Sequence, residues 1–237
     1  MENFLVKPDV VVLCGGLGTR LRSTIGESQK VMAEVGDRPF LDFIIKEFSD
    51  QGFKRFILCA GYKAETVEGY YRDRKDSLII EISRETEPLG TGGAVKNARR
   101  LIRTPYFFIL NGDSFCPVEL LPFLQFHVAK ESSVSMVVAR VQENRDYGAV
   151  VLDKEQRIQG FLEKQSEGNP ALVNAGVYCF TKEAFSFMPH EPRFSLERDF
   201  FPKLINKKFY GFITDKEFFD IGTPERLSQA RQIFKED

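Results

Sequence analysis

Tryptophan is absent from the 237 residues, histidine occurs twice and cysteine four times. Cys14, Cys59, Cys116 and Cys179 are widely spaced and form no C-x-x-C pair, which argues against a zinc knuckle and against a disulfide framework. Buried, reduced thiols are expected instead. His127 and His190 show no metal-ligand spacing and are read as structural. An excess of charge of one sign is missing too, because 33 basic residues offset 34 acidic ones. No global positive field therefore favours nucleic acid, no net acidity marks a disordered solvating chain, and any phosphate site must be local. No apolar run approaches the ~18 residues needed to span a bilayer, and Met1–Lys7 lacks the apolar region of a signal peptide. The expectation is a cytoplasmic protein with neither membrane nor nucleic acid as partner. Linkers, repeats and low-complexity tracts are absent as well.

What is present is an apolar content of 43%, enough to fill one large core, with 23 phenylalanines placed within apolar runs as core packing. Asp9–Cys14 reads as a short β-branched buried strand entering the tight loop Gly15-Gly16-Leu17-Gly18. Phe40, Leu41, Ile44, Ile45 and Phe48 follow a helical rhythm, with Pro39 suited to the first turn and Gly52 to the exit. Strands are expected at Arg55–Ala60, Leu78–Ser83 and Tyr106–Leu110, with a helix from roughly Gly92 to Leu101 between the last two. Such alternation implies an α/β fold with a doubly wound, mostly parallel Rossmann-like sheet. Beyond Asn111 a helix near Glu119–Glu131 precedes strands at Ser135–Arg140, Gly148–Leu152, Ile158–Leu162 and Val173–Phe180. This reads as a smaller α+β part laid over the first half. Glu167-Gly168-Asn169-Pro170 is a turn, and Thr223-Pro224-Glu225 opens a C-terminal helix with an N-cap and Pro at N1.

Chemistry concentrates in a few places. Glycines at 15, 16 and 18 let backbone N–H groups approach phosphate, Arg20 offers a forked contact and Lys30 a point charge. Neither a Walker loop nor a dinucleotide fingerprint fits. Asp113 follows an apolar strand and so belongs at the carboxyl edge of the sheet, where open α/β sheets bind ligands. Asp220 follows Phe218-Phe219 in the same way. Two carboxylates with phosphate oxygens suit Mg2+, which takes few protein ligands.

Together, Gly15-Gly16-Leu17-Gly18-Thr19-Arg20-Leu21, Glu87-Pro88-Leu89-Gly90-Thr91-Gly92-Gly93-Ala94, Asn111-Gly112-Asp113, Glu163-Lys164, Asn174-Ala175-Gly176-Val177-Tyr178 and Phe219-Asp220-Ile221-Gly222-Thr223-Pro224 resemble, in order, the motifs of the sugar-1-phosphate nucleotidyltransferases, or sugar-nucleotide pyrophosphorylases. The resemblance runs from about Val10 to Arg231. It implies one domain over 1–237, with a nucleotide-binding half at about 9–113 and a sugar-phosphate-binding half at about 114–237. It further implies that Leu13, Gly15, Gly16, Gly18, Thr19, Arg20, Glu87, Gly92, Gly93 and Asp113 bind the nucleotide. Gly148, Glu163, Lys164, Asn174 and Gly176 would bind the sugar phosphate, Asp113 and Asp220 the Mg2+, and Arg20, Lys30 and Asp113 would be catalytic. One departure stands out. The family pattern Pro-Lys-Pro-Met is Gln29-Lys30-Val31-Met32 here, which predicts a looser loop around Lys30.

The reaction implied joins an NTP to a sugar 1-phosphate and releases pyrophosphate. Glu87–Gly93 resembles guanylyltransferases more than thymidylyltransferases, though some uridylyltransferases share it, and the compact length with Cys14–Arg20, Phe194-Ser195-Leu196-Glu197 and Phe219–Gly222 most resembles the guanylyltransferases of D-glycero-α-D-manno-heptose 1-phosphate, in surface-glycan synthesis. GTP is thus the favoured partner. A hexose- or amino-sugar uridylyl- or thymidylyltransferase is the alternative, and a non-catalytic sugar-nucleotide-binding subunit is the alternative of another class. A homo-oligomer is compatible with everything in the sequence.

Overall fold

Every second residue of a strand faces the opposite side of its sheet, and the central strands are apolar on both. In β1 (Asp9–Leu13) Val10 and Val12 join one hydrophobic cluster while Val11 joins the other. A strand buried on both faces needs helices on both sides, and the computed structural model of the chain supplies them. It describes residues 6–16, 18, 21, 24, 26, 28–72, 74, 77–144, 146–163 and 168–234. After β1 come a small hairpin of β2 (Glu34–Val35) and β3 (Arg38–Pro39), helix α1 (Phe40–Asp50), β4 (Arg55–Ala60), α2 (Ala64–Arg72) and β5 (Ile79–Arg84). Helix α3 (Gly90–Asn97), β6 (Tyr106–Asn111), β7 (Ser114–Phe115), α4 (Leu120–Ala129) and β8 (Val134–Val141) follow. The chain continues with β9 (Ala149–Leu152), β10 (Ile158–Leu162), β11 (Ala171–Thr181), β12 (Phe209–Thr214), β13 (Phe219–Asp220) and α5 (Pro224–Ile233).

Strands β5, β4, β1 and β6 pair in parallel in that order, the doubly wound centre expected from the alternation of strand and helix. The second half is not laid over this sheet. β11 pairs antiparallel with β6 through Val177–Thr181 and with β8 on its other side, and β12 closes that edge parallel to β8. The first part of β11 reaches β9 instead, at Val173↔Ala149, and β9 pairs with β10. The fork is made at a bulge between Asn174 and Tyr178, where Gly176 has φ +72°, a conformation that glycine adopts without strain. The result is a nine-stranded sheet shared by both halves.

The sequence expectations for α1, β4, β10 and the Thr223 cap hold closely, with Thr223 Oγ1 accepting from Arg226 N–H. Helix α2 and strand β12 had not been anticipated. Tyr70 and Tyr71 of α2 both donate to the buried Asp42 carboxylate, and the buried stripe of this short helix is made by just Ala64, Val67 and Tyr71. Gly211 interrupts the apolar run of β12. All four cysteines are free and buried, and burial pushes the thiols of Cys14, Cys59, Cys116 and Cys179 upward in pKa. No described helix is long and apolar enough to cross a membrane.

His127 on α4 is fully buried, with Nδ1 2.9 Å from Ser135 Oγ and the ring edge-on to Tyr106 at 5.8 Å. Burial lowers its pKa from 6.5 to about 4. The unfolded chain takes up this proton below its ordinary pKa while the folded chain resists, so stability falls as pH drops from about 6.5 towards 4. Between pH 7 and pH 5 the wild type should lose about 1–2 kcal/mol more than His127→Asn, which keeps a polar atom near Nδ1. Chemical denaturation at the two pH values measures this, and equal losses would show that the ring titrates normally.

Candidate active site

The carboxyl ends of β1 and β6 lie side by side because Leu13 pairs with Asn111. Gly112 N–H then donates to Leu13 O at 3.0 Å, and a Cβ at Gly112 would lie 2.6 Å from that oxygen, so only glycine closes this corner. Both chains turn outward there and form one end of a cavity of about 530 Å³. Leu13, Gly15, Gly16, Lys30, Asn111 and Asp113 line this end.

Lys30 enters from a short 3₁₀ turn, Lys30–Met32, and its Nζ lies 2.5 Å from Asp113 Oδ2. The loop is not loosened by the missing prolines. Gln29 is 1% exposed and its side-chain amide donates to Cys14 O at the exit of β1. Met32 N–H and Ala33 N–H close the turn onto Gln29 O and Lys30 O. Hydrogen bonds thus supply the order that proline rings would otherwise provide.

Opposite β1, the cavity wall is made by Glu85, Pro88, Gly90 and Thr91. Glu87, the expected nucleobase residue, is exposed and outside the lining. Glu85 takes the place, being the first residue beyond β5. Its Oε2 accepts from Leu89 N–H at 3.0 Å, and its Oε1 sits where a Cβ on Gly15 would be 2.4 Å away. Burial raises the pKa of this carboxyl, partly opposed by the Leu89 bond.

Gly92 and Gly93 also depart from expectation. Their N–H groups donate to Phe194 O at 3.0 and 3.2 Å, and neither residue lines the cavity. A Cβ on Gly92 would meet the Phe194 ring at 2.1 Å, and one on Gly93 would meet Pro192 O at 2.2 Å. These glycines admit the segment around Phe194 as a wall. Thr91 Oγ1 donates to Glu197 at 2.7 Å and accepts from Leu196 N–H at 2.8 Å, which locks the segment down. Arg193, Ser195, Arg198 and Asp199 of this wall face the cavity. The sequence marked Phe194-Ser195-Leu196-Glu197 only as a point of resemblance, and it assigned no site role to Arg193, Ser195, Arg198 or Asp199 because nothing local tells which loop a segment about 100 residues away will cover.

Asp220 comes to the site through the β7–β13 ladder, opposite Ser114, and Ile221 N–H donates to Asp113 O at 3.0 Å. It lies beside the cavity and outside its lining. Oδ1 accepts from Gly222 N–H at 2.5 Å, and Oδ2 accepts from Tyr147 Oη and Arg226 Nη1, both at 2.7 Å. Burial alone would raise the Asp220 pKa, but the bonds from Tyr147 and Arg226, the Arg226 charge and the Gly222 N–H together hold it below the ordinary carboxylate range.

Of the residues expected to hold the sugar phosphate, Gly148, Glu163, Asn174 and Gly176 gather on one patch. The Val173↔Ala149 pairing sets Gly148 beside Asn174, and a Cβ on Gly148 would lie 2.9 Å from Leu162 O, next to the exposed Glu163. Asn174 Oδ1 accepts from Gly176 N–H, and its amide donates to Tyr178 Oη, both at 2.9 Å. Gly176 packs on Asn111, which ties the patch to the cavity. Gly18 has φ +57° and packs on Lys30. Thr19, Arg20 and Lys164 lie outside the described residues.

Residues 9–236 match the family model described as nucleotidyl transferase. A D-glycero-alpha-D-manno-heptose 1-phosphate guanylyltransferase of Aneurinibacillus thermoaerophilus is 38% identical, over 94% of this chain and 97% of its own length. Its namesake in Campylobacter jejuni is 35% identical over 91% of this chain and 95% of its own. Among solved structures, HddC from Yersinia pseudotuberculosis complexed with GMP-PN superposes with a TM-score of 0.87 at 34% identity, covering 97% of this chain and all of that one.

The packing of the wall gives a direct test. In Gly93→Ala the new methyl meets the backbone oxygen of Pro192, which cannot rotate away, so the Phe194 segment must shift. Affinity for a nucleoside triphosphate, measured by calorimetry, should fall at least about tenfold with a melting point lowered by several degrees. Unchanged affinity would show that the wall takes no part in binding.

Proposed function

Because the chain belongs to the nucleotidyl transferase family, we propose that it transfers GMP from GTP to D-glycero-α-D-manno-heptose 1-phosphate, releasing pyrophosphate and forming the GDP-sugar for surface-glycan synthesis. The observation that carries this reading is the cavity at the ends of β1 and β6, with the Lys30–Asp113 pair at one side and the half-buried Glu85 carboxylate at the other. The heptose follows from the relatives. The cytoplasm, where GTP is made, is the compartment the substrates imply.

An oxygen of the sugar 1-phosphate attacks the α-phosphorus in line, a new P–O bond forms, and the bond to the β-phosphate oxygen breaks as pyrophosphate leaves. The attacking phosphate is already ionised at neutral pH, so no general base is required. What the site must do is hold two anions together and offset their repulsion. Lys30, at the cavity wall, and Arg20 meet the triphosphate, while Lys164 with Glu163, Gly148, Asn174 and Gly176 receives the sugar phosphate.

The donor set fits a hard divalent cation. No cluster of three or more His, Cys, Asp or Glu occurs among the described residues, so two adjacent carboxylates must be completed by phosphate oxygens and water, as Mg2+ prefers. Asp113 and Asp220 would hold it, and when bound it neutralises charge at the reacting phosphates. Asp113→Asn should reduce turnover by at least about a hundredfold with the fold intact, since a half-exposed ligand contributes little packing. Wild-type rates at limiting Mg2+ would remove Asp113 from this role.

Glu85 accounts for the base. Guanine presents N1–H and N2–H2 donors on one edge, which a carboxylate accepts together, whereas uracil and thymine present one N–H between two carbonyl oxygens that a carboxylate repels. Gly15 leaves the room that Glu85 Oε1 occupies. GTP should exceed UTP and dTTP in kcat/KM by at least about tenfold, and Glu85→Gln should remove most of that margin. A panel of four NTPs with several sugar 1-phosphates, read by pyrophosphate release, checks both. If UTP or dTTP equals GTP with every acceptor, the guanylyl reading falls while nucleotidyl transfer stands.

A further inference from the structure

Both carboxylates assigned to the cation are already paired with side chains of this chain. Lys30 Nζ lies 2.5 Å from Asp113 Oδ2, and Arg226 Nη1 lies 2.7 Å from Asp220 Oδ2. Arg226 is firmly placed. It projects from the first turn of α5, its other nitrogen meets Asp146 Oδ2 at 2.7 Å, and its guanidinium lies 4.6 Å from the centre of the Tyr147 ring. Tyr147 in turn donates to the same oxygen of Asp220, and its turn is clamped by Asn144, which bonds both Tyr147 N–H and Tyr147 O.

With Asp146 counted, three carboxylates face two side-chain cations, a net charge of −1 where the carboxylates alone would carry −3, so a divalent ion approaching the empty protein meets a much reduced attraction. We propose that Lys30 and Arg226 are resident counter-ions of Asp113 and Asp220, so that the free protein binds a divalent cation weakly and acquires it together with the polyphosphate. The inference rests on the metal assignment made above. The two cations differ in what they can do next. Lys30 lines the cavity, so a triphosphate offers it an anion in exchange for Asp113. Arg226 lies outside the lining and is anchored by Asp146, so its charge stays on Asp220 and keeps lowering the affinity for a second cation beside it. A supporting arginine whose only task is to hold Asp220 in place would act with the opposite sign, because its loss would weaken metal binding.

The sign is therefore the test. Mn2+ binding to the full chain without nucleotide is measured by the electron-spin-resonance signal of the free ion. Arg226→Gln should bind Mn2+ at least about tenfold more tightly than the wild type, given that a full charge is removed within hydrogen-bond distance of a ligand. Arg226→Lys, which keeps the charge, and Tyr147→Phe, which removes only a neutral donor, should both stay within about threefold of the wild type. Equal or weaker binding by folded Arg226→Gln overturns the proposal. So does micromolar, stoichiometric Mn2+ binding by the wild type alone, a result that needs no variant. Pyrophosphate release that proves independent of divalent cations would instead remove the metal assignment itself. Dependence on the cation with no gain in Arg226→Gln removes only the counter-ion role.

Discussion

The pairing of β1 with β6 is the constraint from which the site follows. Its register ends at Leu13↔Asn111, and from there two loops leave the sheet at the same level. Asp113 is on one and Gly15 on the other, with Lys30 reaching across to close the pair. Parallel strands make this possible, since their carboxyl ends share one edge and the connections that follow must diverge. The antiparallel neighbour β11 completes the arrangement from the other side. Its bulge at Gly176 presses on Asn111 and swings the first part of the strand toward β9, bringing Gly148 and Asn174 to the same edge. One continuous sheet thus carries both groups of candidate residues.

Most of the fold was legible because its signals are local and strong. A doubly buried strand such as Phe107–Leu110 is apolar throughout, and a cap such as Thr223-Pro224 is a matter of adjacent residues. What was illegible depended on partners far away in sequence. Helix α2 is short, and its buried stripe of Ala64, Val67 and Tyr71 is completed by hydrogen bonds to Asp42 of another helix, so few apolar residues mark it in the sequence. The way β11 joins the second half to β6 is a pairing choice that no run of residues encodes alone.

The site divides in the same way. Lys30, Asp113, Gly15 and Gly16 sit where their motifs put them. Glu87 is exposed and outside the cavity lining, because β5 ends at Arg84 and Glu85 is the residue that emerges at the sheet edge, a placement that motif resemblance does not convey. Gly92 and Gly93 illustrate a different ambiguity. A glycine-rich stretch signals close approach of something, and sequence cannot say whether that is a ligand or another part of the chain. Here it is the Phe194 segment, so the glycines shape the pocket by admitting a wall.

The charges of the cavity follow a single rule. The chain as a whole is nearly neutral, and four acids in and beside the cavity each have a donor: Lys30 on Asp113, Arg226 on Asp220, the Leu89 N–H on Glu85 and the Ser195 N–H on Asp199. Anionic substrates enter a region whose acids are thereby kept from repelling them at full strength. Lys30 can change partners because a mobile ammonium on a long stem needs no fixed geometry, whereas Arg226 is held by two carboxylates and an aromatic face. The difference between a lysine at the cavity wall and an arginine behind it is thus a difference in function. One cation is free to follow the phosphate, and the other fixes the charge against which any metal ion must compete.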